Sequence, residues 1–112
     1  PTEVIVMRHS ERVDDLFPRW TKKSIHEGKY TPYDLNMPKS LPINRPIDHY
    51  LYDTPITSNG TIIAGMIGRG LSVTKRTPDI IYCSPLLRCI QTAYNVKVMS
   101  GSQASIRVEP GV

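Results

Sequence analysis

The chain has 112 residues, enough for one domain with a modest core. A hydrophobic content of 39% and a charged content of 21% exclude a disordered chain and read as globular. The net charge of +4 is scattered, with Lys22-Lys23 and Lys75-Arg76 the only adjacent basic pairs, so no stripe tracks a nucleic-acid backbone, although an acidic or phosphorylated substrate is compatible.

In chain order, "EVIVM" (residues 3–7) is a near-continuous β-branched run, expected as a strand covered on both faces. Thr57 precedes a helical pattern in which Ile63, Met66, Ile67 and Leu71 recur on one face. Gly60, Gly65, Gly68 and Gly70 lower its intrinsic stability, which predicts close packing against a sheet. "DIIYC" (79–83) is a second buried strand. Ser84 is the expected N-cap and Pro85 the expected first residue of a second helix, with Leu86, Leu87, Ile90, Ala93 and Tyr94 on its apolar face. "SIRVE" (105–109) alternates and reads as a third strand. Strand, helix, strand, helix, strand implies right-handed crossovers and a mainly parallel α/β sheet.

Residues 13–55 break this pattern. They hold six of the ten prolines and four of the six tyrosines, so neither a regular long helix nor a central strand fits there. A connection of this length in a compact domain is functional or disordered. Trp20, the tyrosines and scattered leucines predict a segment folded over near a binding site. Asn59-Gly60-Thr61, a formal glycosylation acceptor, reads as a turn.

Ligands of parallel α/β sheets bind beyond the carboxyl ends of the strands. Arg8 and His9 follow the first strand, Ser84-Pro85 the second, and Glu109 ends the third. Arg12 lies three positions past His9, and Arg88 falls in the first turn of the second helix, where free N–H groups already favour an anion. Guanidinium groups match phosphate oxygens bidentately. Cys83 and Cys89 lack metal or redox spacing. "CSPLLR" puts four residues between Cys83 and Arg88, one fewer than a cysteine phosphatase loop requires, so both thiols read as reduced and packed.

"VMRHSERVD", "DTPITSNG", "IYCSPLLRCIQTA" and "IRVEPG" together resemble the histidine phosphatase superfamily, with its phosphoglycerate-mutase-like three-layer α/β/α fold. Within it the chain resembles the phosphatase domain of the T-cell ubiquitin-ligand proteins, the suppressors of T-cell receptor signalling, including "LNMPKSLP" in the long connection. The resemblance implies a phosphohistidine mechanism: His9 as nucleophile, Arg8, Arg12 and Arg88 as the phosphate pocket, and Glu109 as proton donor to the leaving group. It implies no metal and no cofactor, a phosphoprotein or small aryl phosphate as partner, and a homodimer.

Aryl phosphates, phosphotyrosine among them, are the expected substrates, because a phenolate leaves with less help than an alkoxide. Two departures stand out. The family has glycine where this chain has Ser10, and a second family histidine would come from a later strand than any before Val112; His26 and His49 read as surface residues. The expectation is therefore the N-terminal part of a longer phosphatase domain with a Pro/Tyr-rich insertion at about 13–55, in the cytosol by default and without membrane segment or signal peptide. A catalytically weak phosphoprotein-binding module and a phosphoglycerate mutase are the alternatives. Residue by residue, blander roles also stand: Glu109 as a solvated strand end, Arg88 as helix packing, and Arg12 paired with Glu11, Asp14 or Asp15.

Overall fold

The computed structural model describes residues 2–112. Residues 2–11 run without regular structure into a helical turn, α1 (Val13–Leu16). A second short helix, α2 (Trp20–Ser24), leads into a hairpin of β1 (Ile25–His26) and β2 (Lys29–Tyr30). Glu27 and Gly28 turn that hairpin with φ of 52° and 75°, the positive pair that a two-residue turn demands. After α3 (His49–Tyr52) come the long helix α4 (Ser58–Val73), the strand β3 (Ile81–Cys83), the helix α5 (Leu87–Ser100) and the strand β4 (Ile106–Val108). β3 and β4 pair in parallel, Ile81 opposite Ile106 and Cys83 opposite Val108.

The Pro/Tyr-rich connection supplies most of the main core. Val13, Trp20, Met37 and Tyr50 bury together with Leu87 of α5, and Phe17, Tyr30 and Leu41 pack against them. Trp20 meets Tyr30 and Tyr50 edge-on, at centroid distances of 6.5 and 6.1 Å, the arrangement that aromatic quadrupoles favour. Burial raises the Tyr30 pKa to about 12, and its hydroxyl donates to the Pro38 carbonyl. The segment is thus folded over, as its aromatic content predicts.

Several expectations need correction. "EVIVM" is not a paired, buried strand: Val4 is 80% and Val6 90% exposed, and no described strand pairs with it. A β-branched run specifies extended backbone, but a ladder also needs a neighbour within about 5 Å. The segment is anchored near its ends, by Glu3 on Arg76 at 3.2 Å and by the Ser10 N–H on Thr92 at 2.9 Å. It therefore runs in the same sense as residues 76–92, the stretch that contains β3.

The glycines of α4 do pack closely, but against α5 rather than a sheet. Gly60, Ala64, Gly65 and Gly68 form the buried face, while Ile63, Met66 and Ile67 face outward. A Cβ on Gly68 would lie 2.5 Å from the Val96 carbonyl oxygen, which shows how near the two backbones come. On α5, Leu87, Ala93 and Val96 are buried whereas Tyr94 is exposed. Asn59-Gly60-Thr61 forms the first turn of α4, not a loop turn. Among the described residues no helix is long and apolar enough to cross a membrane.

Candidate active site

His9 is half-buried, and its Nδ1 donates to the Ser10 carbonyl at 2.9 Å. A carbonyl only accepts, so in the neutral ring the proton is on Nδ1 and the Nε2 lone pair is left free. The Ser10 N–H donates to Thr92 Oγ1 at 2.9 Å, and that hydroxyl donates to the Arg88 carbonyl at 2.7 Å. Two hydrogen bonds therefore connect the residue after His9 to the first turn of α5. The Ser10 hydroxyl donates to the Gly60 carbonyl in the first turn of α4 at 2.7 Å.

The next residues are fixed by backbone pairing. Arg12 forms an antiparallel bridge with Ile56, flanked by Thr57 N–H to the Glu11 carbonyl at 2.8 Å and Val13 N–H to the Pro55 carbonyl at 3.0 Å. Thr57 caps α4, its hydroxyl oxygen accepting from Gly60 N–H at 2.9 Å. That hydroxyl also donates to Glu11 Oε1 at 2.7 Å, joined by the Asn36 amide at 3.1 Å. These two donors, Thr57 first, hold the Glu11 carboxyl below its ordinary range.

The three arginines differ. Arg8 is exposed, with no ion pair or side-chain hydrogen bond among the described residues. Arg12 grips Asp14 bidentately at 2.9 and 2.7 Å, which raises its pKa further, so the pairing weighed from sequence is realised with Asp14. Arg88 is half-buried, and its Nε is enclosed without a hydrogen-bond partner among the described residues. A buried donor left unpaired costs roughly 1–3 kcal/mol, so an acceptor there would be favoured.

The start of α5 departs from expectation. The helix begins at Leu87, with Leu86 as N-cap and no side-chain bond from it, two residues beyond the predicted Pro85 start. Ser84 Oγ accepts only a long 3.5 Å contact from Leu86 N–H. The N–H of Leu87 is satisfied from a distance by Asp53 Oδ1 at 2.7 Å. Arg45 steadies Asp53 through its carboxylate at 3.0 Å and its carbonyl at 2.7 Å, and lies 4.0 Å over the Tyr50 ring. Asp53 lies in the motif "DTPITSNG", but its capping of a helix 34 residues away has no local signature.

Glu109 follows β4, with its N–H donating to the Cys83 carbonyl at 2.8 Å. This places it beside the β3–α5 loop, at the carboxyl edge of the parallel pair. Its exposed carboxylate makes no ion pair or hydrogen bond among the described residues. The structure thus links His9 to the Arg88 turn, seats Glu109 at the same sheet edge, turns Arg12 toward Asp14, and leaves Arg8 in solvent. Both cysteines are free; burial pushes the Cys83 thiol up, against a thiolate nucleophile. His26 and His49 are exposed.

The model of the histidine phosphatase superfamily (branch 1) matches residues 49–112, more than half of the chain. The chain belongs to this superfamily. It is 40% identical over 116 residues to ecdysteroid-phosphate phosphatase of Drosophila melanogaster, an alignment covering 98% of this chain and 15% of that protein. It is 39% identical over 114 residues to ubiquitin-associated and SH3 domain-containing protein B of Mus musculus, covering 97% of this chain and 18% of that one. The chain therefore spans less than a fifth of these relatives. The crystal structure of the ecdysone phosphate phosphatase from Bombyx mori in complex with tungstate superposes with a TM-score of 0.87 at 32% identity, over 92% of this chain and 41% of that chain. The fold is the phosphoglycerate-mutase-like α/β fold of the histidine phosphatases, and the fruit-fly and silkworm relatives are phosphatases by name.

Proposed function

We propose that the chain takes part in phosphomonoester hydrolysis through a phosphohistidine on His9. The observation that carries this reading is the Nδ1 bond to the Ser10 carbonyl, which leaves Nε2 free as a nucleophile, on a segment whose Ser10 N–H is tied through Thr92 to the Arg88 turn. Nε2 attacks phosphorus in line as the leaving oxygen departs, and water then releases phosphate from the imidazole. Arg88, whose Nε lacks an acceptor, together with Arg8 and Arg12, neutralises the phosphoryl oxygens. No metal is needed in this scheme, because the cations are guanidinium groups. Glu109 donates the proton to the leaving oxygen.

Two substrate classes fit. Aryl phosphates such as phosphotyrosine follow from the leaving-group argument. Alkyl phosphates of the steroid type find support in the 40% identity to a protein named ecdysteroid-phosphate phosphatase. Glu109→Gln separates them: loss of the acid should slow an alkyl phosphate far more than p-nitrophenyl phosphate, whose leaving group needs little protonation.

The reading includes a larger domain, with residues 3–7 pairing against a strand not contained in residues 2–112. The unpaired valines and the 41% coverage of the silkworm enzyme chain support it. Assay of p-nitrophenyl phosphate hydrolysis with acid-quench trapping of phosphohistidine tests the nucleophile. His9→Ala should bring both signals to background. Hydrolysis that survives this substitution would refute the mechanism, and anion binding without turnover in the unmodified protein would favour a binding module.

A further inference from the structure

We propose that Ser10 is a positioning residue whose hydroxyl latches the His9 segment onto α4 and thereby holds the imidazole in the Nδ1–H tautomer. This rests on the reading of His9 as nucleophile. The His9 ring is oriented by the Ser10 carbonyl at 2.9 Å, so the ring is only as fixed as the Ser10 peptide. That peptide has anchors on two helices: its N–H on Thr92 of α5 and its side chain on the Gly60 carbonyl of α4. Glycine at this position would keep the first anchor and lose the second.

Gly60 makes the latch possible. A Cβ there would meet the Glu11 carbonyl oxygen at 2.8 Å and the Glu11 nitrogen at 3.2 Å, so residues 10–11 lie directly on the first turn of α4. The Ser10 hydroxyl reaches that turn at 2.7 Å. It is engaged with the helix rather than available to an anion. The serine therefore adds a constraint on the nucleophile and does not act as a phosphate ligand.

The test is ¹⁵N-edited NMR of the His9 imidazole in the unmodified protein, Ser10→Ala and Ser10→Gly, with His9→Ala giving the assignment. The unmodified protein should show mainly the Nδ1–H tautomer. Ser10→Ala should enlarge the share of the other tautomer roughly 2- to 10-fold, the equivalent of one hydrogen bond. It should lower kcat for p-nitrophenyl phosphate by a similar factor while KM stays within about twofold. Ser10→Gly should do the same or more.

An unchanged tautomer ratio in Ser10→Ala would overturn the proposal. So would a loss confined to Ser10→Gly, which would assign the effect to backbone freedom, or a changed ratio with unchanged kcat. The tautomer is read without turnover. Failure of the His9 mechanism is seen separately, as hydrolysis persisting in His9→Ala.

Discussion

Alanine at two glycines of α4 should act with opposite sign. At Gly68 the added Cβ would lie 2.5 Å from the Val96 carbonyl oxygen, 3.0 Å from its Cα and 3.1 Å from its carbonyl carbon. These are backbone atoms of α5 and cannot rotate away, so the helices must separate by about an ångström to restore ordinary contact. Overpacking of this kind costs roughly 1–3 kcal/mol, and rigid partners place it near the top of that range. The better helix propensity of alanine returns about 1 kcal/mol, leaving a net loss of about 2 kcal/mol. At Gly70 nothing lies within 4 Å of the new Cβ. There only the propensity gain remains, about 0.5–1 kcal/mol of stabilisation.

For a domain of this size 1 kcal/mol moves Tm by roughly 4–6 °C. Gly68→Ala should therefore melt about 8–12 °C lower and Gly70→Ala about 2–6 °C higher, by far-UV circular dichroism. Gly65→Ala, whose Cβ meets only the flexible Met99 side chain at 3.1 Å, should fall between them. A Gly68→Ala protein as stable as the unmodified one would refute the close approach of α4 and α5 on which the Gly60–Ser10–Thr92 arrangement depends.

Two other outcomes follow from the charged groups. Asp14→Asn should tighten vanadate or phosphate binding by roughly 2- to 5-fold at low salt, because a partly exposed pair holding Arg12 contributes only about 0.2–1 kcal/mol; weaker binding by calorimetry would mean that Asp14 instead holds Arg12 in its binding pose. Glu11 titrates below its ordinary value in the folded state, so its contribution to stability is complete above that ordinary value and is lost as pH falls through the lower one. The stability gap between the unmodified protein and Glu11→Gln, followed by urea unfolding from neutral to acid pH, should accordingly close in acid, and a gap that widens there would contradict the assigned bonds from Thr57 and Asn36.

What was legible in the sequence depended on the range of the interaction concerned. The helical pattern that follows Thr57 is a local matter and was readable, and α4 begins at Ser58, directly after it. "DIIYC" and "SIRVE" each yield a three-residue strand and the two pair in parallel, but Ile80 and Tyr82 are exposed, so the first is not the strand covered on both faces that its β-branched run predicts. "EVIVM" carries an equally strong local preference but lacks a paired neighbour among the described residues, and pairing is not a property of one segment. Ser84 looked like a cap for local reasons, a serine directly before a proline and an apolar helical face. It lost to Asp53, whose approach to Leu87 depends on Arg45 and Tyr50 placing the connection against α5.

The same division runs through the candidate site. The residue types able to do phosphoryl chemistry, arginine, histidine and glutamate, were visible in the motifs by type, although among them only Glu109 follows a paired strand in the described residues. Their protonation, pairing and orientation depend on partners distant in sequence. Arg12 is engaged by Asp14, and the α5 N-terminus by Asp53, so part of the positive field is already neutralised. Arg8 and the unpartnered Nε of Arg88 are not engaged in this way. In the proposed mechanism an arriving dianion would be met first by these two groups and would compete with Asp14 for the third. On this reading, affinity for a singly charged ester should suffer most, because it offers less charge with which to displace the Asp14 carboxylate.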